Sequence, residues 1–274
     1  MKIGFIGTGQ ITKAVVTGVI KSKLKISKIF VSERNKKISR ILKFKSKKIT
    51  IIKKNQDIIN RSDWVFLAVT PIVGNKILSN LKFNKNKMII SFISTINLTQ
   101  LKKITGLKSN IIRAIPLPPI ALCKGPVPIY PPNSKVKKFF DKLGSTVEIS
   151  NEKLSLNFWT TSAMMAPFYE ILYSLSNWLI KRGIKKENAQ KYIWSLFLAL
   201  SEDAFNHNKN LKKLVRESQT PGGLNEQAVK DLRKAGFYKL LEKTSNRIIK
   251  RLKKSQSNWF NLVYKFKKWP KKNY

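Results

Sequence analysis

A chain of 274 residues, 42% of them hydrophobic, is long enough to bury a sizeable core and most naturally forms two domains. One cysteine and one histidine exclude a disulfide framework and a cysteine-rich metal site, and they leave no Ser-His-Asp arrangement beyond chance, so no metal is expected. The formal charge of +41 rests on 55 Lys and Arg spread from end to end among many Ile and Asn, which reads as compositional bias and not as a nucleic-acid footprint.

No specific nucleic-acid partner is therefore expected, only loose attraction to polyanions, with Lys250–Tyr274 the densest basic and aromatic stretch. No apolar run reaches the roughly eighteen residues of a membrane span, and the N-terminus runs straight into a strand pattern with no signal-peptide core. A soluble, cytoplasmic protein without a membrane partner is the expectation.

The opening residues carry the most information. Ile3, Phe5 and Ile6 predict a short strand, Gly7-Thr8-Gly9 a tight turn, and Ile11, Ala14, Val15, Gly18 and Val19 a helix beginning near Gln10. Gly7 permits the turn. Gly9 lets a pyrophosphate approach the backbone, where the N–H groups and positive dipole end of the new helix can hold it. Thr12 stands where a third glycine is common, and small Ala14 and Gly18 are expected to let the helix lie close to the sheet. A second strand, Ile29–Val31, arrives after the length of one βαβ unit and runs into Ser32-Glu33-Arg34-Asn35. Ser32 stands nearest the place where an acidic residue would read an NAD ribose, while Arg34 and Asn35 offer donors suited to a 2′-phosphate. Glu33 keeps NADH open if the strand ends one residue later; the balance favours NADPH.

The alternation continues with a helix at Lys36–Phe44, a strand at Ile49–Ile52, a helix at Gln56–Asn60, and the apolar run Asp63–Val69 of a central parallel strand. A helix at Ile72–Leu81 follows Thr70-Pro71, and strands are predicted at Met88–Phe92 and Ile111–Ala114, with Ser94-Thr95 at the carboxyl end of the former, where ligands of open α/β sheets lie. The prolines from Pro116 to Pro132 predict a restricted crossing loop without regular structure, before a helix at Ser134–Leu143 and a strand at Thr146–Ile149. This is a doubly wound parallel sheet.

From Glu152 onward only helices are predicted: Leu154–Arg182, Lys186–Asn208, Leu211–Glu217, Asn225–Ala235 and Phe237–Leu252. The first two carry large apolar residues on several faces, so they need a partner surface and point to a homodimer or higher homo-oligomer. The fold expected is α/β plus all-α, with domains at 1–150 and 151–255 and a basic tail at 256–274. Between two helices, Gln219-Thr220-Pro221-Gly222-Gly223 forms a turn expected to leave several N–H groups unpaired and converging, a nest suited to a carboxylate. His207 lies at a polar helix end, and Cys123 has no partner that would make it a nucleophile.

Taken together, Gly7-x-Gly9-x-Ile11-x-x-Ala14-x-x-x-Gly18, Leu67-Ala68-Val69-x-Pro71, Ile90–Ser94, Arg113-x-x-Pro116 and Thr220-Pro221-Gly222-Gly223 resemble the pyrroline-5-carboxylate reductases over about residues 1 to 250. The resemblance implies an N-terminal Rossmann domain and a C-terminal helical dimerisation domain whose chains interlock. It implies NADPH- or NADH-dependent reduction of the cyclic imine Δ1-pyrroline-5-carboxylate to L-proline. It also adds Ala68, Val69, Thr70 and Pro71 to the cofactor contacts and places Ser94 and Thr95 beside the nicotinamide. Gly222 and Gly223 would then hold the substrate carboxylate, with Asn225 as a further donor and the Thr220 hydroxyl or water as proton source. Departures from the family pattern are Leu224-Asn225 where two Thr are usual, Thr70 for Lys, Leu117 for Asn, and the pair Met164-Met165 in place of small residues. They leave open a related reductase with another imine or keto substrate, or a cofactor-binding paralogue without turnover.

Overall fold

The computed structural model describes residues 1–70, 74, 77–107, 110–206 and 210–267, with side chains as far as 254. It divides into two compact units, one of Met1–Trp159 together with the stretch from Lys250 and the other of Thr160–Ile249.

The first unit is built on an eight-stranded sheet of order β3-β2-β1-β4-β5-β6-β7-β8. Its strands are β1 (Lys2–Ile6), β2 (Lys28–Ser32), β3 (Ile49–Ile52), β4 (Trp64–Leu67), β5 (Met88–Ser91), β6 (Ile111–Ala114), β7 (Pro126–Tyr130) and β8 (Ser145–Glu148). Strands β1 to β6 are all parallel, β6 and β7 are antiparallel, and β7 and β8 are parallel again. Helices α1 (Gln10–Lys21), α2 (Lys36–Lys45), α3 (Asn55–Arg61), α4 (Leu98–Thr105) and α5 (Ser134–Phe140) provide the cover. The two-residue period of each strand sends neighbours to opposite faces. Phe5, Phe66 and Ile90 accordingly join one buried cluster, and Ile6, Val65, Leu67 and Ile89 join another. Burial on both faces is why these strands are continuous apolar runs.

Three expectations need correction. The proline-rich stretch is not irregular: Pro118–Leu122 forms a 3-10 turn and Pro126–Tyr130 a strand. Proline lacks the ladder donor but keeps its acceptor, and the Ile115 N–H donates to the Pro128 carbonyl at 3.2 Å while Val127 and Ile129 fill the core between the prolines. Gly18 does not serve contact with the sheet; a Cβ there would lie 2.3 Å from the Ile120 carbonyl oxygen, so it admits the 3-10 turn against α1. The long helix expected over 154–182 is two, α6 (Glu152–Ser162) and α7 (Met165–Ile180). Pro167 explains the break, because it is tolerated in the first turn of α7 but would remove a bond and clash inside a continuous helix.

The helix expected at Ile72–Leu81 falls largely outside the described residues. The remaining helices are α8 (Lys186–Asn206), α9 (Leu211–Glu217), α10 (Leu224–Lys234) and α11 (Phe237–Lys267), the last running fifteen residues past the expected end at Leu252. In the second unit α7 packs on α8, with the Phe168 and Phe197 rings edge to face at 6.1 Å. Among the described residues from Thr160 on, Ala189 and Ile193 are the buried hydrophobic side chains, while Tyr173, Trp178, Tyr192, Trp194, Leu198 and Phe205 are exposed.

Candidate active site

The glycine turn opens a cleft of about 600 Å³ at the carboxyl ends of β1, β2 and β4, lined by Gly7, Thr8, Gly9, Arg34, Asn35, Lys36, Ala68, Val69 and Thr70. Gly7 has φ +99°, and a Cβ on it would stand 2.4 Å from the Ala68 carbonyl oxygen. Only glycine meets both demands. Thr12, in the place of a third glycine, is fully buried and its hydroxyl donates to the Gly7 carbonyl at 2.6 Å, closing the loop from within. Gly9 is the N-cap of α1 and supplies no side-chain cap; a Cβ on it would meet no protein atom within 4 Å. The turn thus presents open space in front of a helix N-terminus, the cradle a pyrophosphate requires. Gln10 and Ile11 form the first turn of α1, Gln10 exposed and Ile11 half-buried.

Ser32 and Thr8 meet behind this turn. The Gly7 N–H donates to the Ser32 hydroxyl at 3.1 Å, and the Thr8 hydroxyl lies 2.9 Å from it and 2.6 Å from the Ser32 carbonyl oxygen. Ser32 is buried, so it braces the phosphate loop from the neighbouring strand. Beyond it Arg34 is exposed, the Asn35 side chain caps α2 by accepting from the Ile38 N–H at 3.1 Å, and Lys36 is the first residue of that helix. Glu33 lies outside the cleft lining. Lys36 was not singled out from the sequence, where it is one lysine among many; its position at the first turn after β2 was the available signal. Pro71 lies outside the described residues.

At the end of β5, Ser94 offers its carbonyl oxygen to Arg113 at 2.8 Å, and the Thr95 hydroxyl is buried with no hydrogen-bond partner among the described residues. A buried hydroxyl without a partner at the carboxyl edge of the sheet fits a ligand carrying polar groups. Arg113, on β6, is fully buried and pairs with Glu152 at 2.6 Å. Burial pushes its guanidinium below its ordinary value, against which the Glu152 carboxylate acts. Glu152 lies far along the chain, and nothing in its local sequence marks it.

Thr220, Gly222, Gly223 and Asn225 belong to the second unit. The expectation of unpaired N–H groups in this turn does not hold at its glycines. Gly222 donates to the Glu226 carboxylate at 2.8 Å and Gly223 to the Thr220 carbonyl at 2.8 Å, while the Asn225 side-chain amide donates to the Ser218 carbonyl at 2.9 Å. Lys230 and then the Gly222 N–H hold the Glu226 carboxyl below the usual range. A glutamate in the first turn of a helix reaching back to an earlier amide is a known N-terminal pattern and could have been read from the sequence. Gly223 is the N-cap of α10 and brings no side-chain acceptor, so the opening amides of that helix, Leu224 to Glu226, remain the donors a carboxylate could use.

Cys123 has φ +57° and its thiol faces the Gly18 carbonyl at 3.5 Å. His207 lies outside the described residues. Among the described residues no group of His, Cys, Asp and Glu could hold a metal ion, and no helix is long and apolar enough to cross a membrane.

Comparison with known proteins matches both halves. A family described as NADP oxidoreductase, coenzyme F420-dependent, matches residues 2–95, and the pyrroline-5-carboxylate reductase dimerisation family matches residues 153–255. Pyrroline-5-carboxylate reductase 3 of Danio rerio is 24% identical over 248 residues, covering 86% of this chain and 85% of its own. The pyrroline-5-carboxylate reductase of Escherichia coli strain K12 is 24% identical over 251 residues, covering 86% and 91%. The solved structure of Plasmodium falciparum pyrroline carboxylate reductase with NADP bound superposes with a TM-score of 0.81 at 22% identity, over 93% of this chain and 98% of that one. With a doubly wound sheet, a helical second unit that matches the pyrroline-5-carboxylate reductase dimerisation family, and relatives that match along nearly their whole length, the chain is similar to the pyrroline-5-carboxylate reductases in both of its halves.

Proposed function

We propose that the protein reduces the C=N bond of Δ1-pyrroline-5-carboxylate to give L-proline, with NADPH as the reductant. The carrying observation is the cleft, where an open glycine turn at a helix N-terminus stands beside the cationic pair Arg34 and Lys36. The likeness to that family supports an NAD(P)H-dependent oxidoreductase acting on C=N. Bound NADPH would supply a hydride from its nicotinamide C4. The residues of this chain would bind and orient. The amides after Gly7 take the pyrophosphate, Arg34 and Lys36 the 2′-phosphate, and the Ser94–Thr95 segment flanks the nicotinamide. The first amides of α10 take the substrate carboxylate, and the Thr220 hydroxyl or water delivers the proton to nitrogen. A protonated imine is already an electrophile, so placement of the two carbons is the main task left to the protein.

Purified protein is expected to oxidise NADPH in the presence of Δ1-pyrroline-5-carboxylate, followed as loss of absorbance of the reduced cofactor. Folded protein that binds NADPH but turns over no cyclic imine would overturn the reading in favour of a cofactor-binding paralogue. A related reductase with a different imine is favoured by one feature, the pairing of Gly222 with the chain's own Glu226 where a substrate carboxylate was expected. A panel of cyclic imines with and without a carboxylate separates the two.

Cofactor choice has its own test. Arg34→Ala should raise the KM for NADPH by about 10-fold to 100-fold, the value of one charge-assisted hydrogen bond, and that for NADH by less than about twofold. Lys36→Ala should act in the same direction. Equal effects on the two cofactors would show that this cation does not read the 2′-phosphate.

A further inference from the structure

We infer that the ion pair of buried Arg113 with half-buried Glu152 is the device that holds the Ser94–Asn97 segment in place for hydride transfer, which makes Arg113 and Glu152 positioning residues. The inference rests on the reading that the nicotinamide lies against Ser94 and Thr95.

The pair grips both ends of this short segment. Arg113 Nη2 donates to the Ser94 carbonyl oxygen at 2.8 Å. Its other arm, Nη1, donates to Glu152 Oε1 at 2.6 Å, and the same Oε1 accepts from the Leu98 N–H at 2.7 Å. Leu98 opens α4, and its N–H has no acceptor within that helix. A single carboxylate oxygen thus joins the guanidinium to the far end of the segment whose near end the guanidinium already holds. Between the two, Ile96 is fully buried, and a capping box of Asn97 and Gln100 fixes the start of α4.

The surroundings show that the arrangement is built. The guanidinium lies over the Trp159 ring at 5.1 Å, Ser155 is buried beside it with its hydroxyl 3.5 Å from Nη1, and Arg113 itself is fully buried. Taking the Arg113 guanidinium out of water is costly even with the half-buried Glu152 as its partner, and well-packed apolar residues of similar volume often serve stability as well or better. Stability alone does not explain its presence. What the pair adds is a fixed geometry: a planar fork has two arms at a set angle, and here one arm holds Ser94 directly while the other holds Leu98 through Glu152. Hydride transfer needs such control, since a displacement of about 1 Å at the reacting groups can cost about 100-fold in rate.

The test uses two variants. Glu152→Gln keeps the shape and removes the charge; the double variant Arg113→Met with Glu152→Leu replaces the pair by apolar side chains and should keep the fold. In the double variant the Tm is expected to stay within a few degrees of wild type. The Kd for NADPH should change by less than about twofold, because the phosphates are held elsewhere, whereas kcat should fall by about 10-fold to 100-fold. The primary deuterium isotope effect with 4-deuterated NADPH should rise as the chemical step becomes slower. Without any cofactor, amide exchange at Thr95–Leu98 should speed up by at least about 10-fold while the strands keep their protection. Unchanged exchange at these amides, or a wild-type kcat in the folded double variant, overturns the proposal. A loss of kcat matched by a loss of folded protein in both variants also overturns it, as a purely structural role. Wild-type protein that turns over no imine would instead overturn the function proposed above, and the exchange measurement would then decide by itself whether the ion pair holds the Ser94–Asn97 segment.

Discussion

Gly9→Asp should leave the protein folded and remove its affinity for the dinucleotide. A Cβ at Gly9 would meet nothing within 4 Å, and the backbone there, at φ −97° and ψ −168°, is extended and open to any residue. Aspartate is also a better N-cap than glycine and favours the positive end of a helix, so the Tm should hold or rise by a few degrees. The same carboxylate would project into the space in front of α1 and repel the pyrophosphate, and the Kd for NADPH should rise at least about 100-fold. Gly7→Ala, two residues away, should behave oppositely. Its φ of +99° and the Ala68 carbonyl 2.4 Å from the new Cβ strain the folded chain itself, and a loss of several degrees in Tm is expected before any effect on ligand. Calorimetric titration together with thermal melts on both variants separates the two roles. Gly9→Asp protein that binds NADPH as well as wild type would remove the pyrophosphate from this turn.

The second large effect concerns assembly. The helical unit buries Ala189 and Ile193 among its described hydrophobic residues while Trp178, at 52% exposure, and Trp194, at 55%, stand open with several tyrosines and leucines. Exposed apolar surface on this scale is rare on soluble monomers, and an isologous contact buries the same face on both copies. The match to a dimerisation family over residues 153–255 supports homo-oligomerisation. We expect Trp194→Asp to produce a monomer by sedimentation, with activity lost to the limit of detection and a lowered Tm. Trp178→Asp is milder, since Arg182 stacks on that ring at 3.7 Å and already gives it a polar neighbour. A monomeric wild-type protein with full activity would rule out the obligate assembly.

The legible part of the fold was the part written in local pattern. Ile3 to Val19 states strand, turn and helix within one stretch, and the parallel strands show as apolar runs because both their faces are covered. Strand β7 was hidden because Pro126 and Pro128 speak against a ladder, and only the alternation of Val127 and Ile129 speaks for one. The split between α6 and α7 was written in Pro167 but outweighed by the apolar content on both sides. Of the candidate site, the glycines and Arg34 were accessible from spacing. The pairing of Arg113 with Glu152 was not, because it joins residues 39 apart in sequence and both belong to types usually found exposed. Lys36 was masked by composition: in a chain with 55 Lys and Arg, one more cation carries no information until the fold places it.

The brace between Ser32 and the glycine turn bears on how this protein could change its cofactor over evolutionary time. Many dinucleotide sites read the ribose near the end of the second strand, where an acidic side chain hydrogen-bonds the 2′-OH of the unphosphorylated cofactor. Here Ser32, the last residue of that strand, is enclosed, and its hydroxyl is committed to Gly7 and Thr8. A carboxylate at position 32 would have to displace the bonds that shape the phosphate loop, so an acidic reader of the ribose is opposed there by the scaffold itself. Arg34 and Lys36, which make no part of that brace, are free to drift. On the NADPH preference proposed above, selectivity would be lost one substitution at a time from the rim of the cleft, while a strict preference for the other cofactor would need several coordinated changes.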